Sequence, residues 1–160
     1  MEIYCETGHS YETGTSTLSG IILDDLNLHR AVLESQDLSQ SSLKSTNLRG
    51  AFMYEANLND CNLKSANLIT ADLRKATLCN ANLTESILYY ALCSNADFTD
   101  ATLFMADVRS ADFSHAILMS VDMRCQNLEL ANLKGATYNA KTRWPEEFNP
   151  LGAGCTWIEE

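Results

Sequence analysis

The sequence predicts an all-β solenoid over residues 16–140, in which the backbone coils around a shaft of buried side chains. Three observations predict it. A bulky apolar residue recurs at every fifth position, a small residue stands two positions before it, and a polar residue stands between them. In an extended backbone, residues two apart point the same way, so the small and the bulky side chain share the inside. The two positions that complete each unit are mainly polar and suit turns, which supply the corners.

The spacing of five excludes the two common regular elements. On an α-helix, each step of five residues turns the side chain through about 140°, so the bulky residues would spiral around the cylinder and form no stripe. On a flat strand, an odd spacing would send successive bulky residues to opposite faces. A coil built from short extended steps and corners satisfies the pattern.

The repeat runs from Leu18 to Tyr138, which gives 25 units in one register. The bulky position holds 18 Leu, two Phe and two Met, and the small position holds Ala in 15 units. The residue between them is Asn or Asp in 14 units and Ser or Thr in five. Gln36 and Gln126 are the large polar exceptions at the small position. The predicted core of the central units consists of Leu58, Leu63, Leu68, Leu73, Leu78 and Leu83.

The pattern A(D/N)Lxx, present as ANLND, ANLIT, ADLRK and ANLTE, closely resembles the pentapeptide-repeat proteins. The resemblance covers residues 16–140 and implies a right-handed quadrilateral β-helix with four units in each coil, hence slightly more than six coils. The spacing by itself implies a coil and leaves its number of sides open. The tail TRWPEEFNPLGAGCTWIEE is similar to the endings of many cyanobacterial members.

A solenoid exposes its core at both ends, so short caps are expected over residues 1–15 and 141–160. Two glycines in the first segment disfavour a long helix and predict irregular structure or short strands there. In the second segment, Pro145 suits the start of a short helix through residues 146–147. The bulky residues expected to close that end are Trp144, Pro145, Phe148 and Trp157.

Composition narrows the class of protein. The 160 residues are 46% apolar, enough for one domain, and no apolar run approaches the ~20 residues of a membrane span. A net charge of −10 argues against direct nucleic-acid binding, which normally needs a basic stripe. The N-terminus is polar and acidic, so a cytoplasmic location is expected. The six cysteines show no metal-ligand spacing, and reduced thiols are predicted.

No catalytic, cofactor or metal site is predicted. The three histidines (His9, His29 and His115) fall in distant units, and no Ser–His–Asp or Cys–His pair can be assembled from neighbouring coils. In the four-sided arrangement, one oxygen-bearing ladder consists of Gln40, Asp60, Asn80 and Asp100. Such a ladder can in principle hold a divalent cation, but calcium ligands usually converge from a loop, so a solvated face is favoured.

One stretch, SILYYALCSNA, departs from the repeat and predicts an interaction surface. Apolar residues replace Asn or Asp at the outward positions, and a Tyr pair replaces the polar corner. Contiguous exposed apolar area usually marks an interaction site, whereas stacking of aromatic rings between coils is the alternative interpretation. The predicted patch consists of Ile87, Tyr89, Tyr90, Leu92, Phe104 and Met105. A second apolar group consists of Val32, Phe52 and Tyr54.

These features predict a non-catalytic scaffold or protein–protein interaction module with a protein partner, and a homodimer is possible. The resemblance implies an alternative, an acidic DNA mimic that regulates or protects DNA gyrase or another DNA-binding protein. A continuous negative strip running through a two-fold dimer would favour mimicry, whereas a mixed surface with one apolar patch favours a protein partner. The four-sided arrangement places no basic residue on the face that carries Asp37, Asp60, Asp97 and Asp100. The other three faces carry all nine basic residues of the repeats.

Overall fold

The computed structural model describes residues 1–159 and shows a four-sided solenoid. Single parallel β-bridges run from Ile22 with Ser42 to Ile117 with Thr137, and all except Asp107 with Gln126 join residues that are 20 apart. Each coil therefore consumes four five-residue units, which confirms the number of sides that the resemblance implied. We number the faces by their first buried leucine: face 1 Leu18, face 2 Leu23, face 3 Leu28 and face 4 Leu33.

Each unit has five positions with constant roles, which one unit illustrates. Ala71 occupies the inner alanine position, Asp72 the outward position and Leu73 the inner leucine position, while Arg74 and Lys75 occupy the first and second corner positions. All 25 inner leucine positions are buried, with Tyr138 the most exposed at 6%. The predicted central core residues Leu58, Leu63, Leu68, Leu73, Leu78 and Leu83 are completely buried.

Successive coils are joined by backbone hydrogen bonds in both directions. The Leu58 N–H donates to the carbonyl of Thr77 on the next coil at 2.7 Å, and the Asn57 N–H donates to Gln36 on the previous coil at 2.9 Å. Buried polar side chains at the inner alanine position also find carbonyl partners: the Thr46 hydroxyl donates to Leu23 at 2.7 Å. The shaft accepts such residues because an unpaired buried hydroxyl would cost about 1–3 kcal/mol and here none is unpaired.

The second corner position requires a left-handed backbone. From residue 25 to residue 120 its non-glycine residues have φ between 53° and 61°, as at Ser45 (53°) and Glu85 (61°). The N–H of the residue after the corner closes each turn, as when Ala66 donates to Leu63 at 3.0 Å. A left-handed conformation costs a non-glycine residue about 1–2 kcal/mol. The bonds between coils must therefore offset a strain that recurs at nearly every corner.

Asn and Asp recur at the outward position because their side chains support the corner. The Asn62 Oδ1 accepts the backbone N–H of Lys64 at 3.2 Å, and the Asp97 Oδ1 accepts that of Thr99 at 2.9 Å. Amide side chains also bond between coils, as when Asn47 donates to Asn27 at 2.8 Å. Six apolar residues at this position have no side-chain oxygen for the bond: Ile22, Val32, Phe52, Ile87, Leu92 and Ile117.

The N-terminal end is covered by short strands. Strands β1 (Glu2–Tyr4) and β2 (Ser10–Glu12) form an antiparallel hairpin. The chain beyond β1 then pairs antiparallel with the first coil, where Cys5 lies opposite Ala31. The side chains of Ile3 and Cys5 are 1% and 2% exposed, so the hairpin closes part of the shaft.

Aromatic residues close the C-terminal end. Strand β3 (Thr137–Tyr138) pairs in parallel with β4 (Thr156–Trp157). The Tyr138 ring meets Trp144 and Trp157 edge-on at centroid distances of 5.5 and 5.4 Å, and Trp144 stacks on Phe148 at 5.3 Å. The predicted helix after Pro145 is wrong. A single turn forms instead, and Glu147 at φ 63° has the left-handed conformation that stops a helix.

The register is interrupted in the last coil, at residues 124–130. Asp107 pairs with Gln126 rather than with the residue 20 positions on, and a 3₁₀ helix follows over Leu128–Leu130. Gln126 is exposed, and its amide donates to the carbonyl of Met105 at 3.2 Å. Gln36, the other glutamine at an inner alanine position, is half-buried and leaves the register intact, since Asp37 still pairs with Asn57. The prediction of an unbroken register is therefore wrong at residues 124–130, although Leu128 returns to the shaft at 2% exposure.

Leu73→Ala should lower the free energy of unfolding by about 2–5 kcal/mol, because the surrounding coils cannot collapse into the space of a fully buried side chain. Urea unfolding followed by circular dichroism measures the change. Arg49→Ala, at an exposed corner, is the matched control and should change stability by less than about 0.5 kcal/mol. Equal losses in the two variants would contradict the shaft as the source of stability.

The exposed second corner residue Ser45 tests the cost of the left-handed corner. Ser45→Val should destabilise the protein by about 1 kcal/mol, since a β-branched residue tolerates positive φ poorly. Ser45→Gly should be at least as stable as the natural protein because glycine adopts this conformation freely. Paired urea titrations compare the two, and a valine variant as stable as the glycine variant would refute strain at the corner.

Candidate interaction surface

The structure gathers the six predicted surface residues around face 3. Ile87 lies on face 3 itself, and Tyr89 and Tyr90 form its corner with face 4, where Leu92 follows. Phe104 and Met105 form the opposite corner of face 3, one coil further on. We refer to these six residues as the apolar patch. Five of them are exposed: Ile87 and Leu92 by 39%, Phe104 by 41%, Met105 by 46% and Tyr90 by 52%.

Tyr89, the sixth residue, is half-buried between two neighbours. Its ring lies 4.3 Å from that of Tyr90, measured between centroids, and the guanidinium of Arg109 lies 5.6 Å from its centroid. Hydrogen bonding to Tyr90 raises the pKa of the Tyr89 hydroxyl. The Tyr89 hydroxyl therefore stays uncharged at neutral pH.

Aromatic residues at the first corner position are covered by an arginine from the next coil. Tyr54 lies beneath Arg74 at 5.7 Å, and Phe104 lies beneath Arg124 at 5.1 Å, measured from the guanidinium carbon to the ring centroid. Each arginine is held by the carboxylate two residues before it. The three such pairs are Asp72–Arg74 at 2.6 Å, Asp107–Arg109 at 3.4 Å and Asp122–Arg124 at 2.5 Å.

Sequence reasoning missed these stacks, although a signal for them is present. An aromatic residue at a first corner position is followed one coil later by Asp-x-Arg, as in ADLRK, ADVRS and VDMRC. Stacking between coils thus explains Tyr89 and Phe104. Within the described part of the chain, no cation covers Ile87, Tyr90 or Leu92. Stacking between coils therefore applies to Tyr89 and Phe104, and the interpretation as an interaction surface applies to the uncovered residues.

Two of these arginines, Arg74 and Arg124, keep their carboxylates ionised. Hydrogen bonds from Arg74 lower the pKa of Asp72, and hydrogen bonds from Arg124 lower the pKa of Asp122. Each pair is therefore a neutral unit above the ordinary range of carboxyl titration.

Charge is distributed unevenly around the solenoid. Of the nine basic residues in the repeats, only Arg49 and Lys134 have no ion pair within residues 1–159. The paired ones are Arg30, Lys44, Lys64, Arg74, Lys75, Arg109 and Arg124. Face 1 and its corner with face 2 carry the carboxylates of Asp37, Asp60, Asp97 and Asp100. Neutral residues interrupt these ladders, so the negative strip is discontinuous.

The acidic side carries one half-buried thiol, Cys79. Burial, together with Asp97 and Asp100, raises its pKa to about 11, so it is protonated at neutral pH and a poor nucleophile. All six cysteines are free. The oxygen ladder of Gln40, Asp60, Asn80 and Asp100 is exposed to solvent along its length.

The described residues form no other candidate site. Within residues 1–159, no group of three His, Cys, Asp or Glu side chains is placed to hold a metal ion. A cavity of about 160 Å³ lies beneath the N-terminal hairpin, between Ile3, Leu18 and Leu33. Its lining also includes Glu2, Tyr4 and Gln36. None of the helices in this part of the chain is long and apolar enough to cross a membrane.

Comparison with known proteins identifies the family. The family model described as pentapeptide repeats matches residues 27–64, 66–103 and 96–135, which together make up more than half of the chain. The chain belongs to the pentapeptide-repeat family. Its fold is the right-handed quadrilateral β-helix, as the resemblance implied. No curated protein sequence matches the chain.

Several solved pentapeptide-repeat structures resemble this one. The protein alr5209 from Nostoc Pcc 7120 is 33% identical over 64% of this chain and 84% of its own, with a TM-score of 0.62. HetL from Nostoc sp. strain PCC 7120, a protein involved in heterocyst differentiation regulation, is 27% identical over 78% of this chain and 59% of its own, with a TM-score of 0.53. The fluoroquinolone resistance protein QnrB1 is 16% identical over 82% of this chain and 67% of its own, with a TM-score of 0.44. That last likeness carries no functional argument.

Replacing Asp72 and Asp122 together by Asn should reduce the loss of stability in acid. Both carboxyl groups have a folded pKa below the unfolded value of about 3.9, so they contribute stability above that value and lose it as the pH falls through the folded pKa. The difference in melting temperature between about pH 6 and about pH 3 should be smaller in the double variant. Asp112→Asn, without an arginine partner, is the control. An unchanged pH profile in the double variant would contradict the role of the arginine pairs.

Proposed function

We propose that this protein is a non-catalytic scaffold that binds another protein through the apolar patch. One observation carries the proposal. Ile87 and Leu92 occupy outward positions where an Asn or Asp side chain would support the corner, yet both are apolar and 39% exposed. Neither side chain can accept a hydrogen bond from the backbone N–H of the first corner residue, and both side chains are exposed to solvent. Burial against a partner accounts for both features, because it contributes roughly 25 cal/mol for each Å² of apolar surface removed from water.

The shape of the solenoid supports a binding role. Parallel bridges run the length of face 3, from Asn27 with Asn47 to Asp107 with Gln126, so its side chains are fixed in ladders. A partner that docks on such a face encounters side chains that are already ordered, which reduces the entropic cost of association. Tyr90 and Met105 lie at opposite corners of this face, and residues of both types are enriched at protein interfaces.

The family supports the same role in general terms. HetL, 27% identical to this chain, is a protein involved in heterocyst differentiation regulation. A regulatory role for a relative is compatible with a binding mechanism in this chain. The alternative function, an acidic DNA mimic, would need a continuous negative strip, whereas carboxylates and basic residues are mixed on three of the four faces. A cytoplasmic location remains part of the proposal, since it would keep the six thiols reduced.

The double variant Ile87→Asn/Leu92→Asn tests the proposal. Each new side chain oxygen can accept the N–H of the first corner residue, worth about 0.5–1.5 kcal/mol, so the melting temperature should stay the same or rise. Affinity capture from an extract of the native cell should show a partner that the natural protein retains and the double variant loses.

Ile117→Asn is the matched control. Ile117 occupies the same position of its unit and is also 39% exposed, but it lies on face 1. This variant should capture the same partner as the natural protein. Identical capture by the double variant, with its fold intact, would refute the patch as the docking site.

A further inference from the structure

We infer that the partner seated on the apolar patch is a second copy of this chain, which forms a two-fold dimer through face 3. This inference rests on the proposed function, because it specifies the occupant of the same surface.

Face 3 is nearly neutral in a strongly acidic chain. The face and its two corners carry six basic and five acidic residues, a net charge of +1, whereas the whole chain carries −10. Two copies of an acidic protein repel each other over most orientations. Face 4 with its two corners carries the same counts, six basic and five acidic residues. Faces 3 and 4, which the patch spans through Leu92, are therefore the sides on which a second copy can approach with little electrostatic penalty.

The charged residues around the patch are mutually compensated. Arg109 pairs with Asp107 beside Ile87, Arg124 pairs with Asp122 above Phe104, and Lys64 pairs with Glu85 at 3.5 Å below Met105. A compensated rim attracts neither a strongly acidic nor a strongly basic partner. A compensated rim matches a surface of the same composition. A two-fold interface provides such a surface, because the same patch contributes to both sides.

The opposite side of the solenoid explains how the charge is accommodated in a dimer. Asp37, Asp60, Asp97 and Asp100 lie on face 1 and its corner, across the shaft from face 3. When two copies meet through face 3, these carboxylates point away from each other. The arrangement buries the exposed apolar side chains and leaves the acidic surfaces in solvent at maximum separation.

Added salt should therefore strengthen the dimer, whereas it would weaken a complex held by ion pairs. Screening weakens the repulsion between two chains of charge −10, while burial of the patch is insensitive to moderate salt. The dimer dissociation constant should fall at least about threefold between about 0.05 and about 0.5 M NaCl. A complex held by opposite charges would weaken over the same range.

Sedimentation equilibrium of the full chain tests the inference, with Ile87→Asn, Tyr90→Glu and the control Ile117→Asn measured beside the natural protein. A two-fold interface contains each substitution twice, so the first two variants should raise the dissociation constant at least about tenfold. Ile117→Asn should leave it unchanged. Circular dichroism confirms that each variant retains the fold, and a variant that has lost it is replaced by Leu92→Asn.

Three results would overturn the dimer: a natural protein that stays monomeric, a dimer that survives Ile87→Asn, or a dimer that loosens as salt is added. The capture experiment separates this failure from failure of the proposed function. A monomer that loses a captured protein in the Ile87→Asn/Leu92→Asn variant refutes the second copy and leaves the scaffold intact. A monomer whose capture is unaffected by that variant refutes both.

Discussion

The structure depends on one local constraint: the chain must turn a corner after every extended step. Each corner places one residue in the left-handed conformation, with φ of 56° at Arg30 and 57° at Tyr90. The turn is closed by a backbone bond and is supported, where the outward residue is Asn or Asp, by a side-chain bond to the first corner N–H. Neither bond is strong alone. Because these bonds recur in every coil, each corner is stabilised by the corners of the coils above and below it.

The same constraint separates two kinds of surface chemistry. Inside, a square shaft leaves room for one large and one small side chain per unit, so Leu and Ala recur and Phe98 must pack against Phe113 at 5.5 Å. Outside, side chains at equivalent positions of adjacent coils stand directly above each other. Aromatic rings therefore meet arginines 20 residues on, as Tyr89 meets Arg109, and these arginines are fixed in turn by their own carboxylates. The stacks strengthen contacts between coils while leaving the remaining apolar residues to solvent.

The sequence predicts the coil, its core and the location of the patch because these follow from a period repeated 25 times. The number of sides came from family resemblance, since the angle of a corner is not encoded in spacing. Single events were harder to predict. The register is interrupted at Gln126, whose exposed side chain bonds to the Met105 carbonyl, whereas Gln36 at the equivalent position stays in register. Glu147 ends the expected helix by adopting positive φ. The arginine stacks were missed because they join residues 20 apart, a relation visible only once the coil length is known.

The hairpin at the N-terminal end has a consequence for solubility. A parallel ladder such as face 4 ends in a row of unpaired backbone groups, which is a template for adding further chains. Here the chain after β1 covers these backbone groups and runs in the opposite direction, since Cys5 pairs antiparallel with Ala31. Strand β2 is then the outermost strand at this end. Its three residues, Ser10, Tyr11 and Glu12, include a carboxylate on a strand too short to recruit another chain efficiently. The reversal of chain direction at the N-terminal end of face 4 therefore disfavours the end-to-end addition of further chains.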